Sequence, residues 1–164
     1  VVFEEALVLF LKSDPGVAAL AGQNVWPVKA PQKGGYPRVL YQQVSGRRLP
    51  SLLGPLAVGF GRWTLYLQTS DPLGQSYDQL KGSGGLVAAV LTATGGDAAA
   101  PFSAASNTHL DGFKGLVSGG SGQVEVQGAT LLDRRDHHYP PVHDDDVGVF
   151  EVQLDFSFYY VEDV

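Results

Sequence analysis

The sequence predicts an α+β fold: a mainly antiparallel sheet of about four strands with two helices packed on one face. Three observations carry this. The segment Val149 to Tyr160, "VFEVQLDFSFYY", alternates with period two more cleanly than any other stretch. The opening residues Val2 to Lys12 repeat apolar side chains at helical spacing, with Phe3, Ala6, Leu7, Phe10 and Leu11 on one stripe. The candidates then follow in the order helix, strand, strand, helix, strand, strand, with hairpin-like links between successive strands.

In the first helix, Glu4 and Glu5 stand in the first turn, where the helix dipole favours negative charge. With Val8 and Leu9 also apolar, the stripe is wider than one sheet face covers. "SDPG" stops the helix, and Val17 to Leu20 forms a short further turn before Gly22. Asn24 to Pro37 carries three prolines and two glycines, so it is an irregular connection or an edge segment. Arg38 to Ser45 and Gly59 to Ser70 are strands rich in β-formers. In the second, Trp63, Leu65, Leu67 and Thr69 share one face, opposite Arg62, Thr64, Tyr66 and Gln68. Between them, Gly46 to Val58 reads as a Pro/Gly-rich loop with an unusual apolar load, Leu49, Leu52, Leu53, Leu56 and Val58.

A second helix is expected from about Pro72 or Ser76, with Tyr77, Leu80, Gly84, Val87 and Leu91 at helical spacing. "GSGG" at Gly82 to Gly85 weakens it by about 1 kcal/mol per glycine, a cost that a broken or tightly packed helix would explain. Ala93 to Asn107 is rich in small residues and is expected as an exposed, mobile insertion, spanning about 93–108, in an otherwise single domain. "GGSGQ" reads as a flexible turn. Gly122 to Asp133 is the third strand, with Gly128 marking a bulge.

Composition narrows the function. The 164 residues and 44% hydrophobic content suit one domain with a real core, while 17% charged residues is low and 21 glycines with 10 prolines is high. A formal charge of −6 argues against tight wrapping of nucleic acid, which needs clustered Lys and Arg. The absence of cysteine excludes disulfides, thiolate metal sites and a cysteine nucleophile. No apolar run approaches a membrane span, and "LVLFLK" lacks the basic leader of a signal peptide, so a soluble, unexported chain is expected.

Three histidines and five aspartates lie between Asp133 and Asp146. His137, His138 and His143 with Asp144 would suit zinc or manganese, the basis of a rival reading as a metal-dependent hydrolase. Neighbouring residues of an extended segment point to opposite sides, however, and Pro140 and Pro141 hold this one extended. The stretch is therefore read as a polar loop leading into the last strand. Asp133, Arg134, Arg135 and Asp136 read as hydrated charges at a strand end, with salt bridges across a subunit boundary as their other use. The glycine motifs match neither a P-loop nor a nucleophile elbow, and Glu4 beside Glu5 does not span a cleft. No catalytic residue, cofactor or metal is assigned. The apolar helix Val2 to Leu11 and the loop Leu49 to Val58 are the informative surfaces, because extended apolar surface marks a partner.

Taken together, "SDPGVAALAGQNVWPVKAPQKGGYPRVLYQQVSG", then "HLDGFKGL", then "VEVQGATLLDRRDHHYPPVHDDDVGVFEVQLDFSFYY" resemble the tail-completion, or tail-terminator, proteins of long-tailed bacteriophages and phage-derived gene transfer particles. The resemblance runs from Val2 to Tyr160. It implies a non-enzymatic virion protein, a homohexameric ring at the head-proximal end of the tail. Such a ring stops polymerisation of the tail-tube protein, meets the head-tail connector and lets DNA pass through its lumen unbound. On this basis Val2, Phe3, Phe10 and the edge strands are assigned to the contact between copies. The loop Gly46 to Val58, with Arg47, Arg48, Leu49, Leu52, Leu53 and Leu56, is assigned to the tube or lumen. Asp133 to Val147 is expected as a hairpin link whose charges, Asp133 to Asp136 among them, project toward a ring face. Another neck component, an adaptor or stopper, is the nearest alternative.

Overall fold

The computed structural model describes residues 2–28, 35–51, 54–71, 76–94, 115–119, 122–141 and 148–162. It is a mixed α+β fold in two layers. Helix α1 (Val2–Ser13) is followed by α2 (Pro15–Ala21) and a short strand β1 (Val25–Pro27). Then come β2 (Arg38–Ser51), β3 (Gly54–Asp71), α3 (Ser76–Lys81), α4 (Leu86–Thr94), β4 (Gly115–Gly119), β5 (Gly122–Tyr139) and β6 (Gly148–Glu162). The sheet order is β1-β2-β3-β6-β5-β4. Only β1 pairs in parallel, and the other five strands form a continuous antiparallel sheet.

The helical stripe of α1 lands where its periodicity puts it: Phe3, Ala6, Leu7 and Leu11 are fully buried, and Phe10 packs at the margin of the core. Opposite them lie Val152, Leu154, Phe156, Phe158 and Tyr160 of β6 and Trp63, Leu65 and Leu67 of β3, the alternate residues read as one face. Asp14 caps α2 by accepting a hydrogen bond from the Val17 N–H at 3.0 Å, and Pro15 starts the helix where no N–H is needed. Gly22 ends it at φ +59°, a left-handed conformation in which a Cβ is strained. At Gly59 and Gly61 the requirement is close approach. A Cβ on Gly59 would lie 2.7 Å from the Tyr160 ring, and one on Gly61 2.7 Å from the Trp63 indole nitrogen.

Four expectations need correction. The sheet has more strands than the four anticipated: β1 adds an edge within the Pro-rich connection, and β4 forms from "GLVSG", where no strand was expected. That strand depends on pairing with β5, since its own glycine-rich composition supplies little β-preference. The second helix is two, α3 and α4, separated at Gly82–Gly85, where a Cβ on Gly85 would sit 2.8 Å from the Leu80 carbonyl oxygen. Residues 46–51 and 54–58 are not a loop but the ends of β2 and β3, which run on paired with Pro50 opposite Pro55 and Ser51 opposite Gly54, and residues 52–53 lie outside the described residues. The period-two signal fails there because register shifts follow Gln43 and Arg48. Residues 133–139, expected in a link, continue β5 alongside β6, with Asp133 opposite Asp155 and Tyr139 opposite Val149. Strand pairing overrides the weak β-preference of Asp and His. Of the expected insertion, Ala93 and Thr94 close α4 and residues 95–107 lie outside the described residues. The bulge at Gly128 is present, as a shift between Val126 and Gly128.

Candidate functional site, the outer sheet face and its edges

The face of the sheet away from the helices is built from the polar half of each alternating strand. Asp155 is only 2% exposed and Glu151 4%, so two carboxylates are buried on a face that carries no helix. Their neighbours cover them. Asp155 Oδ1 accepts a hydrogen bond from the Thr64 hydroxyl at 2.6 Å, and Oδ2 accepts from Arg62 and from Arg135, each at 3.2 Å. Glu151 accepts from the Gln68 amide at 2.5 Å, the Gln153 amide at 2.8 Å and the Tyr139 hydroxyl at 3.2 Å. The network extends through Arg38 to Gln68 at 2.8 Å and through Tyr66 to Gln42 at 3.0 Å. Charged hydrogen bonds of this kind satisfy the acceptor oxygens of a buried carboxylate. The two tyrosines respond: burial pushes the Tyr66 hydroxyl above its ordinary value, with Glu151 and Asp155 adding to the rise and Arg135 opposing it. Tyr139 rises for the same first reason, reinforced by Glu151.

A second cluster ties the first helix to the last strand. Glu162, 4% exposed, accepts from the Phe3 N–H at 3.2 Å at the start of α1 and pairs with Arg48 of β2. A carboxylate at this position favours the helix dipole. Phe3, expected at a contact between copies, is buried in the core instead. Its ring stacks on Tyr160 at 4.1 Å and tilts against Trp63 and Phe158 at 5.5 and 5.3 Å. Its place on the stripe, facing the sheet, decides this. The wide stripe of α1 does leave one residue uncovered, Leu9, beside a surface cleft of about 330 Å³ that Val8, Lys12 and Tyr41 also line.

The other expected site residues divide. Arg47 and Arg48 are exposed on β2. The side chains of Val2, Leu49, Leu52, Leu53 and Leu56 lie outside the described residues. On β5, Asp133, Arg134, Arg135 and Asp136 are exposed strand residues whose ion pairs are made within the chain. Arg135 reaches Asp133 at 3.4 Å as well as Asp155, Arg134 lies 3.9 Å from Asp136, and Asp136 also pairs with Lys81 of α3. His137 and His138, adjacent on β5, diverge: His137 stacks on Tyr139 at 6.1 Å, and His138 stacks on Phe150 at 4.7 Å on the helix side. Among the described residues no three His, Asp or Glu side chains converge as metal ligands. His143 and Asp144 lie outside them.

Reading by residue type missed Asp155 and Glu151 as a network centre, because most of their partners arrive from β3 and β5. It also missed Val44 and Leu132, which are 53% and 51% exposed on β2 and β5. For Val44 the available signal was a lone apolar residue among polar neighbours in "QQVSG"; Leu132, beside Leu131, carries none.

Comparison with known proteins finds no matching family model and no matching curated protein. Among solved structures the chain is similar to one from the virion of a native gene transfer agent particle, at 16% identity and a TM-score of 0.54. The match covers 98% of this chain and 95% of that one. At this identity the likeness establishes a shared fold over essentially the whole chain.

Proposed function

We propose that this chain is a structural virion subunit. It forms a closed homohexameric ring at the head-proximal end of a phage-type tail, ends polymerisation of the major tail-tube protein there and meets the head-tail connector. The observation that carries the reading is the end-to-end fold similarity to a chain of a gene transfer particle virion, on a sequence that separately resembles tail terminators. Two features of the molecule support it. The buried carboxylates are engaged by donors of their own chain, an arrangement that suits a structural network. The formal charge of −6, repeated six times, would give a lumen of the same sign as DNA, through which the duplex passes without specific binding. The paired ends of β2 and β3 run on past the last β3–β6 pair, Val58 with Val161, to Pro50 opposite Pro55, and this hairpin, with Arg47 to Leu56, is the part we assign to the tube or lumen. Assembly would take place in the host cytoplasm, and the finished ring would stay in the tail.

The test is electron microscopy of particles made without this protein. Overlong tails, unattached to heads, are the expected result. Tails of normal length that merely fail to join heads would overturn termination and point to an adaptor or stopper.

A further inference from the structure

We infer that copies of this chain join through the outer edges of β2 and β5, with Val44 of one copy packed against Leu132 of the next. This rests on the ring reading and names the contact that would close it. Val44 and Leu132 are the two most exposed large hydrophobic residues among those described. Both stand at breaks in register, Val44 between Gln43 and Ser45 and Leu132 between Leu131 and Asp133. Edge bulges ordinarily guard a strand with charge or twist; here each instead turns an apolar side chain outward.

The edges around them are open. Pairing of β1 with β2 stops at Tyr41, and pairing of β4 with β5 stops at Val126. Among the described residues, 42–47 and 128–133 therefore have no strand on their outer side. These two windows face away from each other across the same rows of the sheet. Gln43 is opposite Trp63, Trp63 opposite Phe156, and Phe156 opposite Leu131, so Val44 and Leu132 lie within about one row of each other, roughly a strand spacing of 5 Å or less. Direction matches as well. Three antiparallel steps separate β2 from β5, so they run in opposite senses, and a copy rotated about an axis along the strands presents its β5 antiparallel to β2. Because the two residues lie within about one row of each other, that rotation needs at most a small axial step, and a heterologous contact of this kind can close into a ring instead of climbing into a filament. With Val44 opposite Leu132, the neutral Gln42 and Gln43 meet Arg134 and Asp133, and no like charges oppose one another.

The chain has no cysteine, which makes the test direct. A full-length V44C/L132C variant, oxidised at concentrations where native mass spectrometry is also run, should give a ladder of disulfide-linked species ending at the ring size. V44C and L132C alone should give none beyond background. Both side chains are about half exposed, so the substitutions leave the core intact. A closed ring without cross-links would overturn the edge contact and leave the ring reading standing. Efficient dimers from V44C alone would overturn it in favour of a two-fold contact. A monomer at every concentration, uncross-linked and unable to cap tubes, would overturn both.

Discussion

Asp155 concentrates the chemistry of the outer face, because one buried carboxylate collects Thr64 and Arg62 from β3 and Arg135 from β5. Replacing it with alanine removes the acceptor for all three. Both guanidinium groups are about half exposed and would stay hydrated, so the loss approaches that of charged hydrogen bonds and not of a stranded buried ion. Asp155→Ala is expected to destabilise the fold by about 2–3 kcal/mol. Asp155→Asn, which keeps an acceptor oxygen for Thr64, should cost less. Urea midpoints of the two variants at neutral pH check this, and equal, negligible losses would show the network to be incidental. Alternation in "EVQLDFSFYY" did place Asp155 opposite the core. Its burial was not legible, since long side chains on two other strands create it.

The interrupted helix makes the same point at the level of elements. Helical spacing ran from Tyr77 to Leu91 and drew one weakened helix, whereas the chain forms α3 and α4 around Gly82–Gly85. Period survived because the two short helices share the core, with Leu80, Val87 and Leu91 all buried. The glycines there are not equivalent. A Cβ on Gly85 would press on the Gln79 and Leu80 carbonyl oxygens at 2.9 and 2.8 Å, and backbone at the end of a helix cannot retreat cheaply. One on Gly84 meets nothing within 4 Å. Gly85→Ala should therefore destabilise by about 1–3 kcal/mol. Gly84→Ala should be neutral or stabilising by about 0.4–1 kcal/mol, through a less flexible unfolded chain. Thermal melts of the pair decide it, and equal shifts in the same direction would refute this account of the break. The elements with strong periodicity, α1 and β6, were legible within a residue or two, and β3 at its C-terminal end, though it starts five residues earlier than read. The ends of β2 and β5 and all of β4 were not, because pairing partners hold them against weak local preference.

Across the whole molecule, four tyrosines tie both sheet faces to alkaline pH. Burial raises Tyr160 above 10, partly offset by the positive charge of Arg48, and raises Tyr41, with Glu4 adding to the effect. Tyr66 and Tyr139 are raised on the outer face. For each, the folded chain holds the phenolic proton more tightly than the unfolded chain does. Below the unfolded value of 10.0 both states are neutral there and the stabilisation is complete. As pH climbs past 10, the unfolded chain ionises first and folding must take protons up, so stability falls. The melting temperature should be insensitive to these groups near neutrality and decline above pH 10. Tyr160→Phe keeps the ring stacked on Phe3, removes one of the four groups and should shallow that decline. Because Tyr41 and Tyr160 pack with α1 while Tyr66 and Tyr139 belong to the outer network, the two layers are expected to fail in one transition. A decline above pH 10 that Tyr160→Phe leaves unchanged would show that this hydroxyl is not held by the packing described.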